Sequence, residues 1–177
     1  MSGSNWKDVR SKLYEISKED LISLVKELYQ LNEQSQLFLE TRFGNRKEGL
    51  EEYKLIIEES ICPSEPWKRG VSLSTGRKAI RDYKKALGDP KGLIDLMVYY
   101  CECGVAFTNQ FGDIDERFYA SIESMYQDAL ELLKKHYRYR DKFSTRIQKI
   151  VDETRDIGWG FHDTLADTFQ EYRKSFV

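Results

Sequence analysis

The sequence predicts an all-α fold, and three observations carry that expectation. Apolar residues recur at spacings of three and four from one end to the other, with no convincing run of period-two alternation. Residues that start and stop helices punctuate the chain at intervals of helix length. The composition is 40% hydrophobic and 33% charged with only three prolines and eleven glycines, which disfavours both long disorder and a turn-rich β fold. At 177 residues the chain fits one domain. Short connections between long helices predict stacked antiparallel hairpins of about eight or nine helices, with a loosely repeat-like stack as a variant.

The first helix is expected over Trp6 to Ile16, capped by Ser4, with Trp6, Val9, Leu13 and Ile16 on one face. Ser17 and Asp20 form a capping-box-like start for a second helix, whose stripe is Leu21, Leu24, Val25, Leu28 and Leu31. Leu37, Phe38 and Thr41 belong to a third, which Gly44 can close in the left-handed conformation. Tyr53, Ile56, Ile57 and Ile61 mark a fourth. Pro63 and Pro66 then open the one long irregular connection, Cys62 to Leu73, where any internal boundary would fall.

A fifth helix begins at Ser74 or Thr75, turns Ile80, Tyr83 and Leu87 inward and ends at Gly88. Asp89-Pro90 is a strong restart, because aspartate caps the free amides and proline at the first helical position lacks a donor that would be unpaired anyway. The sixth helix, about 90 to 111, is apolar on nearly every side and should be the central, most buried element. Asp113 or Asp115 caps a seventh, running to about Lys135. An eighth runs from about Arg140 to Thr154 and a ninth from about Phe161 to Phe176.

No run reaches the roughly 18 apolar residues that span a bilayer, and no apolar segment follows the basic residues of the start. Three cysteines, an odd number, suit a reducing compartment, so a soluble cytoplasmic protein is expected. Cys101 and Cys103 sit two apart inside a predicted helix and point to different sides, with Cys62 distant in sequence; they read as small core residues rather than zinc ligands. No cofactor or metal is implied, since the phosphate loop, the nucleophile elbow and the His-Glu-x-x-His pair are all missing.

Four features are candidates for function. In "DETRDIGWGFHDTLADTF", Trp159 lies between Gly158 and Gly160; the stretch reads as a helix junction in which Trp159 folds back onto the core and Asp163 supports a helix N-terminus. The sharper alternative is a metal-dependent hydrolase with His162 as base or ligand and Asp163 and Asp167 as supporting carboxylates. Asp95, Glu102 and Asn109 recur every seven residues on the sixth helix and, with Asp113 and Asp115, would line an acidic pocket; the plainer reading pairs them with Arg or Lys on a neighbour or leaves them as that helix's narrow wet stripe. Two basic segments, 66–88 and 134–149, each hold seven basic residues and one acid in a chain whose net charge is -2. Arg77, Lys78, Arg81, Lys84, Lys85, Arg138 and Arg140 would bind nucleic acid or another polyanion if the two shared a face, or else form solvated helix surface.

The blocks "SKEDLISLVKELYQLN", "DPKGLIDLMVYYCECGVAFTNQFGDIDERFYASIESMY" and "DIGWGFHDTLADTF" resemble a bacterial family of small all-helical proteins of unknown function. The resemblance implies an independent helical unit in a bacterial cytoplasm and brings no catalytic residues. The leading expectation is a non-catalytic helical module that binds a protein partner, with Trp67 in the 62–73 loop as anchor, no membrane association and no assigned oligomeric state. A core position for Trp67 is the alternative.

Overall fold

A computed structural model describes residues 5–175 as ten α-helices joined by short connections, with no strand among the described residues. The helices are α1 (Trp6–Leu13), α2 (Lys18–Leu31), α3 (Glu33–Phe43), α4 (Arg46–Ile61), α5 (Pro66–Arg69), α6 (Leu73–Ala86), α7 (Pro90–Phe111), α8 (Glu116–Lys135), α9 (Arg140–Asp152) and α10 (Phe161–Lys174), with a 3₁₀ turn, Tyr137–Tyr139, between α8 and α9. The all-α expectation holds. The proposed cap Ser4 and the proposed helix end Phe176 lie outside the described residues.

Local chemistry sets most boundaries. Asn5 and Asp8 close a capping box on α1, Ser17 accepts the Asp20 amide at 3.0 Å on α2, and Asp89 accepts the Gly92 amide at 2.8 Å on α7. Gly88 takes φ +67 as α6 ends, a conformation that favours glycine. Gly44 corrects the expectation made for it: its φ is -98, so no left-handed cap forms, and the glycine is needed because a Cβ would press on the Glu40 carbonyl at 2.6 Å. Proline at the first position of α5 builds a single helical turn inside the long connection, a helix that periodicity could not show.

Pairwise contacts fix the direction of each helix. Tyr53 meets Tyr83 edge-on and Ile61 meets Gly76, so α4 and α6 are antiparallel. Gly76 also meets Tyr100 while Gly92 meets Tyr83, which makes α6 and α7 antiparallel. Phe107 packs on Phe118 and Gly104 on Ile122, which does the same for α7 and α8. Thus α4 and α7 run parallel, as Lys54 to Asp95 and Glu58 to Tyr99 confirm. The α9 helix runs with them, because Arg146 reaches Asp95 and Glu102 while Asn109 reaches the Glu153 carbonyl.

The α7 helix is central, with α4, α6, α8 and α9 packed round it, and it contributes the largest block of buried side chains, from Leu93 to Phe107. One contiguous core extends from Tyr53 to Tyr172 and crosses the 62–73 connection, which the Ser72 amide ties to the Ser60 carbonyl at 2.7 Å. The α1 and α2 helices stand apart from this core: no residue of either is buried, and α2 packs mainly along α3.

Gly92 lets α7 approach α6 beneath the Tyr83 hydroxyl, which donates to the Asp89 cap at 2.9 Å. Gly92→Ala forces that hydroxyl away and disturbs the cap. The expected cost is about 1–3 kcal/mol, read as a lower urea midpoint in circular dichroism.

Candidate functional site

Because α4, α7 and α9 run the same way, the connections that follow them all emerge at one end of the stack. That end carries the α5 turn, the Gly112 to Asp115 link and the Thr154 to Gly160 link. Three exposed aromatics lie at that end, Trp67 on α5, Phe111 at the last position of α7 and Trp159 before α10, while Phe43 at the end of α3 and Tyr137 after α8 are exposed at the other. Trp67 is 72% exposed and Trp159 77% exposed, and Trp6 at the far N-terminus is 67% exposed, so every tryptophan of the chain faces solvent. Tryptophan is highly buried on average, which makes this placement informative.

Trp67 therefore has no core position. Trp159 contradicts the expectation that it folds back onto the core. Its φ of 64 and the φ of 73 at Gly160 turn the chain in two successive left-handed residues, and this throws the indole outward. A left-handed conformation at a bulky residue costs about 1–2 kcal/mol, so the turn holds the indole out at the expense of local stability.

His162 is half-buried at the start of α10 and has a fixed partner. The Thr154 hydroxyl donates to the Val151 carbonyl at 2.7 Å and lies 3.0 Å from His162 Nδ1. With its single proton directed to Val151, the hydroxyl accepts from His162 in the tautomer that carries hydrogen on Nδ1. This contact pins α10 to the end of α9. Asp163 and Asp167 are exposed, and on a helix they lie about 100° and 140° round from His162, so the three do not converge. Among the described residues no group of three or more His, Cys, Asp or Glu could hold a metal ion.

The acids of α7 form a seam rather than a pocket. Arg146 from α9 donates to Asp95 at 2.5 Å and to both oxygens of Glu102 at 2.7 and 2.6 Å, and Lys54 from α4 adds a second cation 3.4 Å from Asp95. Burial disfavours the Arg146 charge, but the hydrogen bonds to Glu102 and Asp95 outweigh it and hold the guanidinium's pKa above its ordinary value. Asn109 completes the seven-residue series at 3.0 Å from the Glu153 carbonyl. Asp113 accepts from the Tyr119 hydroxyl at 2.9 Å, and Asp115 caps α8 through the Phe118 amide at 2.8 Å.

The basic segments lie on different helices. The first lies on α5 and α6, the second on the end of α8, the 3₁₀ turn and α9; because α6 and α8 both run opposite to α7, Lys84 and Lys85 emerge at the same end of the stack as Arg138 and Arg140. Arg77 is tied down by Ser121, to the hydroxyl at 2.9 Å and the carbonyl at 2.7 Å, and lies over the Tyr100 ring. Lys78 pairs with Asp82 at 2.7 Å, and Lys85 lies 3.9 Å from the same acid. Arg81, Lys84, Arg138 and Arg140 are exposed, with Arg138 over the Tyr139 ring.

Sequence reading also missed a thiol pair. Cys62, at the end of α4, meets Cys103 of α7; a hydrogen bond between the thiols lowers the pKa of Cys62 and raises that of Cys103, with burial raising Cys103 further. Parallel α4 and α7 produce this meeting, and no spacing rule shows it. All three cysteines are free thiols. Cys62 lines a surface pocket of about 380 Å³ together with Leu55, Pro63 and Glu65, whose rim is Lys68 and Arg69.

The geometry defines an all-helical protein that carries every tryptophan on its surface. The chain belongs to the Family of unknown function (DUF6155), whose model matches residues 4–173. Comparison with curated proteins and with solved structures gives no match.

Two outcomes follow. Arg146→Ala leaves Asp95 and Glu102 facing each other, half-buried, and should lower stability by roughly 1–3 kcal/mol in urea titration, with Arg146→Lys recovering only part because an ammonium cannot bridge both carboxylates. Trp159→Asn removes the strained bulky residue and should leave stability unchanged or raise it by up to about 1 kcal/mol, measured the same way; a clear loss would show that the indole supports the fold.

Proposed function

We propose that this chain is a non-catalytic protein-binding module of the bacterial cytoplasm that engages its partner through the aromatic end of the stack, with Trp67 as anchor. The observation that carries the reading is the outward placement of every tryptophan while tyrosine, phenylalanine and isoleucine fill the core. An indole held on a short proline-started turn gives large contact area with little conformational entropy left to lose, and such residues dominate interface energetics. The pocket beside α5 offers a recess for a partner's side chain, rimmed by the Lys68–Glu65 and Arg69–Glu59 ion pairs. Free thiols agree with a reducing compartment, and among the described residues no helix is long and apolar enough to cross a membrane.

The anchoring role is tested by affinity capture from the source lysate with wild-type chain and with Trp67→Ala. The substitution should leave stability within about 0.5 kcal/mol, because the side chain lacks core contacts, while partner recovery falls at least about tenfold and stays insensitive to salt in the wild type. Direct binding of labelled single-stranded RNA that weakens steeply with salt, and is lost in Arg138→Glu with Arg140→Glu, would instead give the function to the basic segments.

A further inference from the structure

We propose that the chain forms a two-fold dimer in which α2 of one copy packs antiparallel against α2 of a second copy. The argument uses neither the aromatic end nor Trp67.

The α1 and α2 helices are well made but unsupported. Both are closed by side-chain caps, yet α1 has 8 residues and α2 has 14, and neither buries a residue in the chain. Isolated helices shorter than about 12–15 residues are marginal in water, and helices in proteins persist by burying an apolar face. Here the face is covered only in part, by α3. Leu21, Leu28 and Leu31 are exposed, Leu31 by 69%, and Leu24 is only half-buried.

The total surface shows the same deficit. A compact chain of 20.9 kDa exposes about 9,000 Å² by the scaling of folded monomers. This chain exposes 11698 Å², an excess of about 2,700 Å². A standard interface hides about 800 Å² per partner and obligate homodimers hide about 1,000–2,500 Å² per partner, so the excess is larger than what a stable dimer needs to remove.

The spacing of the stripe selects the occupant. Leu21, Leu24, Leu28 and Leu31 follow one another at intervals of three, four and three, the a and d positions of a coiled-coil seam. That series reads the same from either end. A second α2 laid antiparallel, with the two-fold axis level with Lys26, sets Leu21 on the partner copy's Leu31 and Leu24 on its Leu28 with no position left over. Self-complementarity of one patch is what a two-fold interface requires. Val25 and Leu28 also line a groove of about 440 Å³ with Phe38 and Leu39 of α3, which gives the second copy an apolar floor beyond the seam.

Sedimentation velocity on the full chain from about 1 to 100 µM tests this, run beside the double variant Leu21→Glu with Leu31→Glu. The wild type should sediment at twice the 20.9 kDa chain mass, and the variant at the single-chain mass with an unchanged helical circular dichroism spectrum, since both leucines are exposed in the protomer. A wild type that stays at single-chain mass throughout, or a folded variant that stays dimeric, overturns the proposal. Direction is read by cross-linking: a mixture of Leu21→Cys and Leu31→Cys chains should give the mixed disulfide, mapped by mass spectrometry, and neither chain alone should cross-link through its new thiol. Cross-linking of each chain alone would overturn the antiparallel pairing.

Discussion

The encasement of α7 by four helices is the constraint on which the rest of the structure depends. A helix that is apolar nearly all round has no low-energy place except the centre, and each neighbour must then come close to it. Close approach is supplied where side chains vanish: Gly92 lies under Tyr83, Gly104 under Ile122, and Gly76 of α6 under Tyr100. The few polar groups that α7 does carry form one stripe, Asp95, Glu102 and Asn109, and α9 is the helix that answers it. Position and register of α9 follow from charge as much as from packing.

Direction follows from the same arrangement. Short connections make sequential helices antiparallel, so α4, α7 and α9 share an orientation and their C-terminal connections share an end. Neighbouring antiparallel helices oppose their backbone dipoles, which leaves the character of that end to side chains. Trp67, Phe111 and Trp159 give it an aromatic character with the adjoining charges largely paired. In Trp159 the backbone contributes too, since a left-handed bulky residue persists only where the surrounding turn over-determines it.

Much of this was legible in the sequence. Periodicity gave the helices, capping residues placed the starts of α2, α7 and α8, and the Asp89-Pro90 pair marked the entry to the central helix. The reading of Asp95 and Glu102 as partners for a cation on a neighbour was available from the cost of burying a bare carboxylate. What could not be read were features set by which helices become neighbours. Cys62 and Cys103 are 41 positions apart and meet only because α4 and α7 run parallel. The basic segments look like free charge in composition, but Arg77, Lys78 and Lys85 are taken up by Ser121 and Asp82 in space. The outward turn of Trp159 was misjudged because a large apolar residue between glycines is ordinarily a core residue at a tight bend. Sequence alone also gave α2 the same amphipathic pattern as the buried helices, and only the fold shows that α3 covers its apolar face in part and buries none of its residues.

The division of aromatic residues has a spectroscopic consequence. Indole emission from this protein originates wholly outside the core, from three sites that differ little in solvation between the native and unfolded chain. It is a poor monitor of unfolding, which must be followed by backbone ellipticity or by the buried tyrosines Tyr53, Tyr83, Tyr100 and Tyr126. The same emission is well suited to report contact, because each indole has an environment to gain only when another surface covers it, and the three sites sit on separate elements that single substitutions can silence one at a time.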